Sequence, residues 1–194
     1  MKTKMKNVLL SLLMMVSIAA AAGTRDFALT LEKGTGQTVG FTISNAGEFL
    51  TITVKNMDGL VIYSDQTKEA AFRKNYDFKG MPDGTYTIEV EGERKIEKME
   101  VMVMQELAQL APAVISTIYK PYVRKKDNLV SVDMLRMDNT PVKVEVYDEA
   151  NVLLYTETFL DKSGKQFDFS NVRRGEYTIL IQHKDKTFLE TIIK

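Results

Sequence analysis

Residues 52–63 read ITVKNMDGLVIY, and residues 144–155 read VEVYDEANVLLY. Each stretch sets apolar residues at alternate positions, passes a turn that holds an Asp, and ends in an apolar run closing on Tyr. Period-two alternation marks a half-buried strand, and two such runs around a short turn mark a hairpin. Ile52 matches Val144, Val54 matches Val146, Leu60 matches Val152 and Tyr63 matches Tyr155. Further on, YDFKGMPDGTYTIEVEG (76–92) matches FDFSNVRRGEYTILIQH (167–183), with one residue of slippage between the two blocks. Asp77-Phe78 meets Asp168-Phe169, and Gly84-x-Tyr86-Thr87-Ile88 meets Gly175-x-Tyr177-Thr178-Ile179. The chain therefore carries one pattern written twice.

Each copy is expected to make about seven short strands separated by turn signals, the pattern of an immunoglobulin-like β-sandwich. In the first copy these are Ala28 to Leu31, Thr38 to Ile43, Phe49 to Lys55, Leu60 to Ser64, Phe72 to Phe78, Thr85 to Glu91 and Lys95 to Met104. In the second they are Thr117 to Val123, Leu129 to Leu135, Val142 to Tyr147, Val152 to Phe159, Gln166 to Phe169, Glu176 to Gln182 and Thr187 to Ile193. The fold class is all-β: two tandem sandwiches, residues 23–106 and 118–194, joined by a linker at 107–117. Gln105 to Leu110 has helical character that Pro112 stops, and the segment is too apolar for a free linker.

The first 22 residues, MKTKMKNVLLSLLMMVSIAAAA, read as a secretory signal peptide. Lys2, Lys4 and Lys6 precede an apolar run from Val8 to Ile18, and Ala19 to Ala22 supply a cleavage site. The run is about half the length of a membrane-spanning helix. Cleavage is expected after Ala22 or one or two residues earlier. The full chain balances 26 basic against 26 acidic residues, so losing three lysines leaves an excess of three acids. Such a chain is not built to hold nucleic acid by its phosphates. It has no Cys, so disulfides, thiolate nucleophiles and Cys-ligated zinc are excluded, and the exported sandwiches must be held by packing.

The repeat unit resembles the C-terminal sorting domains of type IX (Por) secretion systems and related small immunoglobulin-like domains of secreted bacterial proteins. The matching positions are Val144, Val146, Tyr147, Asp148, Val152, Leu153, Gly175, Tyr177, Ile179, Ile181, Ile192, Ile193 and Lys194. Three departures stand beside them. Tyr119-Lys120-Pro121 replaces the family's opening Tyr-Pro-Asn-Pro element. Ala150 and Asn151 stand where its hairpin turn has Gly. Another copy of the fold precedes the second unit, where the family has a cargo domain. The resemblance implies export, with Lys186, Ile192, Ile193 and Lys194 as sorting or docking residues and the secretion machinery or a cell-surface protein as partner.

Motifs for chemistry are sparse. His183, the one His, is expected in an exposed turn. Asp58, Asp83 and Asp148 lie in turns without a calcium-loop spacing, so they are expected to bond their own backbone. Glu89, Glu91, Glu93, Glu97 and Glu100 alternate with Arg94, Lys95 and Lys98, which reads as a solvated face rather than a glycosidase pair. Lys120, Arg124, Lys125 and Lys126 with Tyr119 and Tyr122, and Arg173-Arg174, make short basic patches. Tyr86 and Tyr177 are expected to be buried with their hydroxyls on backbone, as in a tyrosine corner. Met99, Met102 and Met104 are expected to fill gaps in a core or at the seam. The expected function is an exported, non-enzymatic binding or structural module without a cofactor. Two alternatives stand beside it: an accessory subunit docking by an edge strand, and a hydrolase using an unrecognised carboxylate site.

Overall fold

The computed structural model describes residues 26–32, 35–44, 47–105, 107–110, 116–136, 138–160 and 164–194. The expected signal peptide lies outside them. Sixteen strands and no helix occur among the described residues. The first repeat holds β1 (Ala28–Glu32), β2 (Thr38–Ser44), β3 (Leu50–Lys55), β4 (Val61–Thr67), β5 (Ala71–Asp77), β6 (Gly84–Glu91) and β7 (Lys95–Met104). Then come β8 (Leu107–Leu110) and β9 (Ser116–Tyr119). The second repeat holds β10 (Tyr122–Lys126), β11 (Leu129–Asp133), β12 (Val142–Asp148), β13 (Leu153–Phe159), β14 (Lys165–Asp168), β15 (Glu176–His183) and β16 (Lys186–Ile193).

The two repeats share one topology. Sheet β1-β2-β5 matches β10-β11-β14, and β4-β3-β6-β7 matches β13-β12-β15-β16. Each repeat has its own core. Ile52, Val54, Phe78, Tyr86, Ile88, Val90 and Val101 fill the first. Val144, Val146, Phe169, Tyr177, Ile179, Ile181 and Ile192 fill equivalent places in the second. The aromatic contacts repeat as well: Phe78 lies 5.4 Å from Tyr86, and Phe169 lies 5.2 Å from Tyr177, between ring centroids. Both tyrosines donate to a carbonyl four residues back, Tyr86 to Pro82 at 2.8 Å and Tyr177 to Arg173 at 2.7 Å. The expected tyrosine corners are present.

The hairpin turns show how Asn replaces Gly. Asn56 Oδ1 accepts from the amides of Asp58 and Leu60, and Asp148 Oδ1 accepts from those of Ala150 and Val152. Gly59 then takes φ 77° and Asn151 φ 59°. Asn tolerates this left-handed region better than other side chains.

Three expectations are corrected here. The expected helix at Gln105 to Leu110 gives way to a strand: Gln105 turns at φ 51°, and Leu107 to Leu110 form β8, which pairs with β7 from Val101 to Met104, while Glu106 lies outside the described residues. A six-residue helix is marginal in water, whereas the β7 edge offers ladder bonds. The expected strand Thr117 to Val123 is two strands, broken at Lys120-Pro121. Pro has no amide to continue a ladder. Its first half, β9, pairs with β7 of the first repeat, Ile118 against Ile96. The span expected as a linker therefore contributes ladder strands at both its ends. Lastly, only Met99 of the three methionines is buried, because Met102 and Met104 point to the other face of β7.

Candidate interaction surfaces

The turn between β15 and β16 lies against the first repeat's large sheet. Glu89 on β6 is the centre of that contact. It pairs with Lys98 across the β6–β7 ladder, and paired residues share a face. The Lys55 ammonium reaches Glu89 at 3.2 Å, that of Lys186 at 2.5 Å and that of Lys98 at 3.6 Å. Lys98 also pairs with Asp185, and Lys184 with Asp138 at 2.7 Å. The Glu89 side chain is only 5% exposed. Burial works against its charge, but the bonds and charges of Lys186 and Lys55 outweigh burial, so its carboxyl titrates below the usual range. Asp185 is also partly desolvated, and its bond to Lys98 lowers it in the same way.

On the same face, Ile96 and Ile118 are fully buried yet belong to neither repeat's core. A cleft of about 620 Å³ opens beside them, with Lys55, Glu89, Lys98, Glu100, Ser116 and Asp185 among its lining residues. A glycosidase pair needs one carboxyl held protonated. Glu89 and Asp185 are both held ionised, so together they do not supply that acid.

The expected solvated carboxylate face is thus only partly solvated. Glu89 and Glu97 are buried, Glu97 with Lys95, whose ammonium lies 4.4 Å from the Phe27 ring centroid. Glu91 bonds Lys120 at 2.6 Å. Members of the basic patch have partners at the surface: Arg124 bonds Asp133 at 3.0 Å, and Lys125 donates to the Ile193 carbonyl. Of the turn acids, Asp148 bonds its own turn as expected, whereas Asp83 accepts from the distant Gln105 amide at 2.8 Å and Asp58 from the Asn56 side chain at 3.3 Å.

His183 is a further correction: it ends β15 and is 3% exposed, not in an open turn. Its Nδ1 lies 3.4 Å from the Pro141 carbonyl oxygen, and Arg136, Asp138 and Lys184 surround it. Burial lowers its pKa below the ordinary 6.5. The neutral ring is therefore favoured in the fold, and the unfolded chain takes up the proton first as pH falls. This stabilising contribution is whole above pH 6.5 and is lost as pH drops towards the folded value. Urea midpoints should fall between pH 7.5 and pH 5, and His183→Gln should flatten that slope. An equal slope in the variant would refute the assignment.

The four sorting candidates have different roles. Lys186 pairs with Glu89, and Ile192 is 7% exposed in the second core. The Lys194 ammonium donates to the carbonyls of Ser170 and Val172. Ile193 alone of the four presents its side chain to solvent.

A surface that sequence reading missed lies at the hairpin edges. Leu60 to Tyr63 and Val152 to Tyr155, at equivalent places in the two repeats, are all exposed. Both strands are sheet edges, each with a bulge opposite its partner strand. Four apolar residues in a row, without alternation, carried the signal.

Residues 37–105 match the family described as the secretion system C-terminal sorting domain of the Por type. No curated protein matches the chain in sequence. Among solved structures, a biofilm-associated protein's BSP domain is 17% identical, covering 82% of this chain and 27% of its own, with TM-score 0.28. A two-domain fibronectin type III segment of chicken tenascin is 10% identical over 86% of this chain and 98% of its own, with TM-score 0.33. Escherichia coli alpha-2-macroglobulin, domains MG0-NIE-MG1, is 10% identical over 84% and 63%, with TM-score 0.30. This chain thus spans about a quarter of the first of these. The sorting-domain match falls on the first repeat, whereas the resemblance read from sequence was drawn on the second; one pattern underlies both. Residues 37–105 form an immunoglobulin-like domain that resembles a Por sorting domain.

Proposed function

We propose that the chain is an exported, non-catalytic protein of the bacterial envelope or exterior, whose second repeat is read by the secretion machinery. The observation that supports this is the sorting-domain match of residues 37–105, together with the same strand order in the second repeat. A sorting domain implies export to the cell surface or beyond. A cleaved leader at residues 1–22 and passage through the periplasm belong to the same reading.

The test is fractionation of tagged chain in cells that carry the secretion system. Deleting Lys186 to Lys194 is unsuitable, because it removes a whole core strand. Ile193→Asp and Leu189→Asp alter exposed side chains and leave the core intact. Wild type is expected at the surface or outside, and the double variant in the periplasm. Unchanged export of the folded double variant would overturn the role of the second repeat. A second reading, an accessory subunit docking by an edge strand, is favoured by the exposed apolar edges of β4 and β13.

A further inference from the structure

The repeats differ most at their last strands. Gly84-x-Tyr86 matches Gly175-x-Tyr177, and Tyr86 pairs with Val101 as Tyr177 pairs with Ile192. Lys95–Lys98 of β7 therefore corresponds to Lys186–Leu189 of β16. In the first repeat that edge is filled by β9, the strand that leads into the next immunoglobulin-like unit, and β8 fills the rest. In the second repeat β16 pairs with β15, and no described strand lies on its other side.

The adjoining faces differ in chemistry as well. Lys55, Glu89 and Lys98 receive the β15–β16 turn. Their counterparts in the second repeat are Tyr147, Leu180 and Leu189, so none of the three seat positions keeps its charge; the charged group left on that face is Glu145, which pairs with Leu180 across the β12–β15 ladder and bonds Lys143 at 2.7 Å. Leu189 is 64% exposed, and Ile193, on the same face, is 68% exposed. An open ladder edge beside exposed apolar side chains is the arrangement that strand addition completes.

We infer that the β16 edge and the face carrying Leu180, Leu189 and Ile193 dock an immunoglobulin-like partner as the first repeat docks the second. The partner's lead-in strand pairs antiparallel with Lys186–Leu189. Its hairpin turn covers Leu189 and carries apolar side chains where this chain's own turn carries Asp185 and Lys186. The first repeat supplies the precedent for strand and turn arriving together. The exposed Leu189 and Ile193 side chains favour an apolar turn, and the Lys143–Glu145 pair borders it beside Leu180. This inference does not depend on export.

The purified full chain and a synthetic peptide of residues 114–120, VISTIYK, test it by amide NMR. The peptide carries the lead-in strand's own sequence. Saturable shifts confined to β16 and the adjoining β15 residues are expected, with a scrambled peptide giving none. Leu189→Lys should weaken binding at least about fivefold at an unchanged melting temperature. No saturable shift, or shifts elsewhere, would overturn the proposal. So would protection of the β16 amides that rises with concentration in the chain alone, since the occupant would then be a second copy.

Discussion

Shortening Ile179 to alanine is expected to cost the second repeat about 2–5 kcal/mol, the range for emptying a buried Ile site. Ile179 is fully buried at the centre of that core, between Val146 on β12 and Glu190 on β16. A domain of this size has about 4–10 kcal/mol in all. Urea unfolding should therefore show the second repeat melting far earlier, with the first repeat's transition much less affected. Ile88→Ala should do the reverse, since Ile88 holds the same place in the first core. A shift below about 1 kcal/mol in either variant would contradict the two-core description, because a site that collapses so freely is not a packed core.

Replacing Glu89 by glutamine is the second large effect, expected to cost about 3 kcal/mol by leaving the partly buried Lys55 and Lys186 ammoniums without their counter-charge, while Lys98 keeps Asp185. Lys55, Lys98 and Lys186 converge on this carboxylate, and only the last comes from the second repeat. The variant should unfold at lower urea and should recover partly in 1 M salt, which screens like charges. Wild type should show the opposite trend. Glu89 titrates below its usual range, so its contribution is present above the ordinary carboxyl pKa of 4.5 and is lost as pH falls through the lowered value. A Glu89→Gln chain with unchanged stability would show the lysines to be satisfied by water alone.

Much of the fold is legible in the sequence because its signals are local. Ile52 and Val54 against Val144 and Val146, or Tyr86 and Ile88 against Tyr177 and Ile179, alternate with the period of a strand. Turn residues at Asp58-Gly59 and at Asp148 bound these runs. The same patterns make the duplication visible, and the matching sheet orders follow it. The turns are equally readable, because an Asn or Asp side chain bonds backbone two residues away.

The interaction surfaces are less legible. Glu89 sits in a run of alternating charges that reads as a wet face, and it is buried only because a turn 97 residues away brings Lys186 to it. His183 lies beside a turn, but residues around Pro141 and Arg136 cover it. Gln105 to Leu110 has a helical composition, and the edge of β7 makes Leu107 to Leu110 a strand.

By itself the sequence determined the class, the repeat, the strands within each repeat's core and the identity of that core, since burial follows from alternation within a few residues. Only the tertiary structure decided what lies on the outer faces and edges. Whether a charged strand face meets water or another repeat, and whether a last strand is covered or open, depends on contacts between residues far apart in the chain. No local period encodes such contacts. That is why β7 and β16, alike in sequence register, differ at their outer edges: β8 and β9 pair with β7, and no strand among the described residues pairs there with β16.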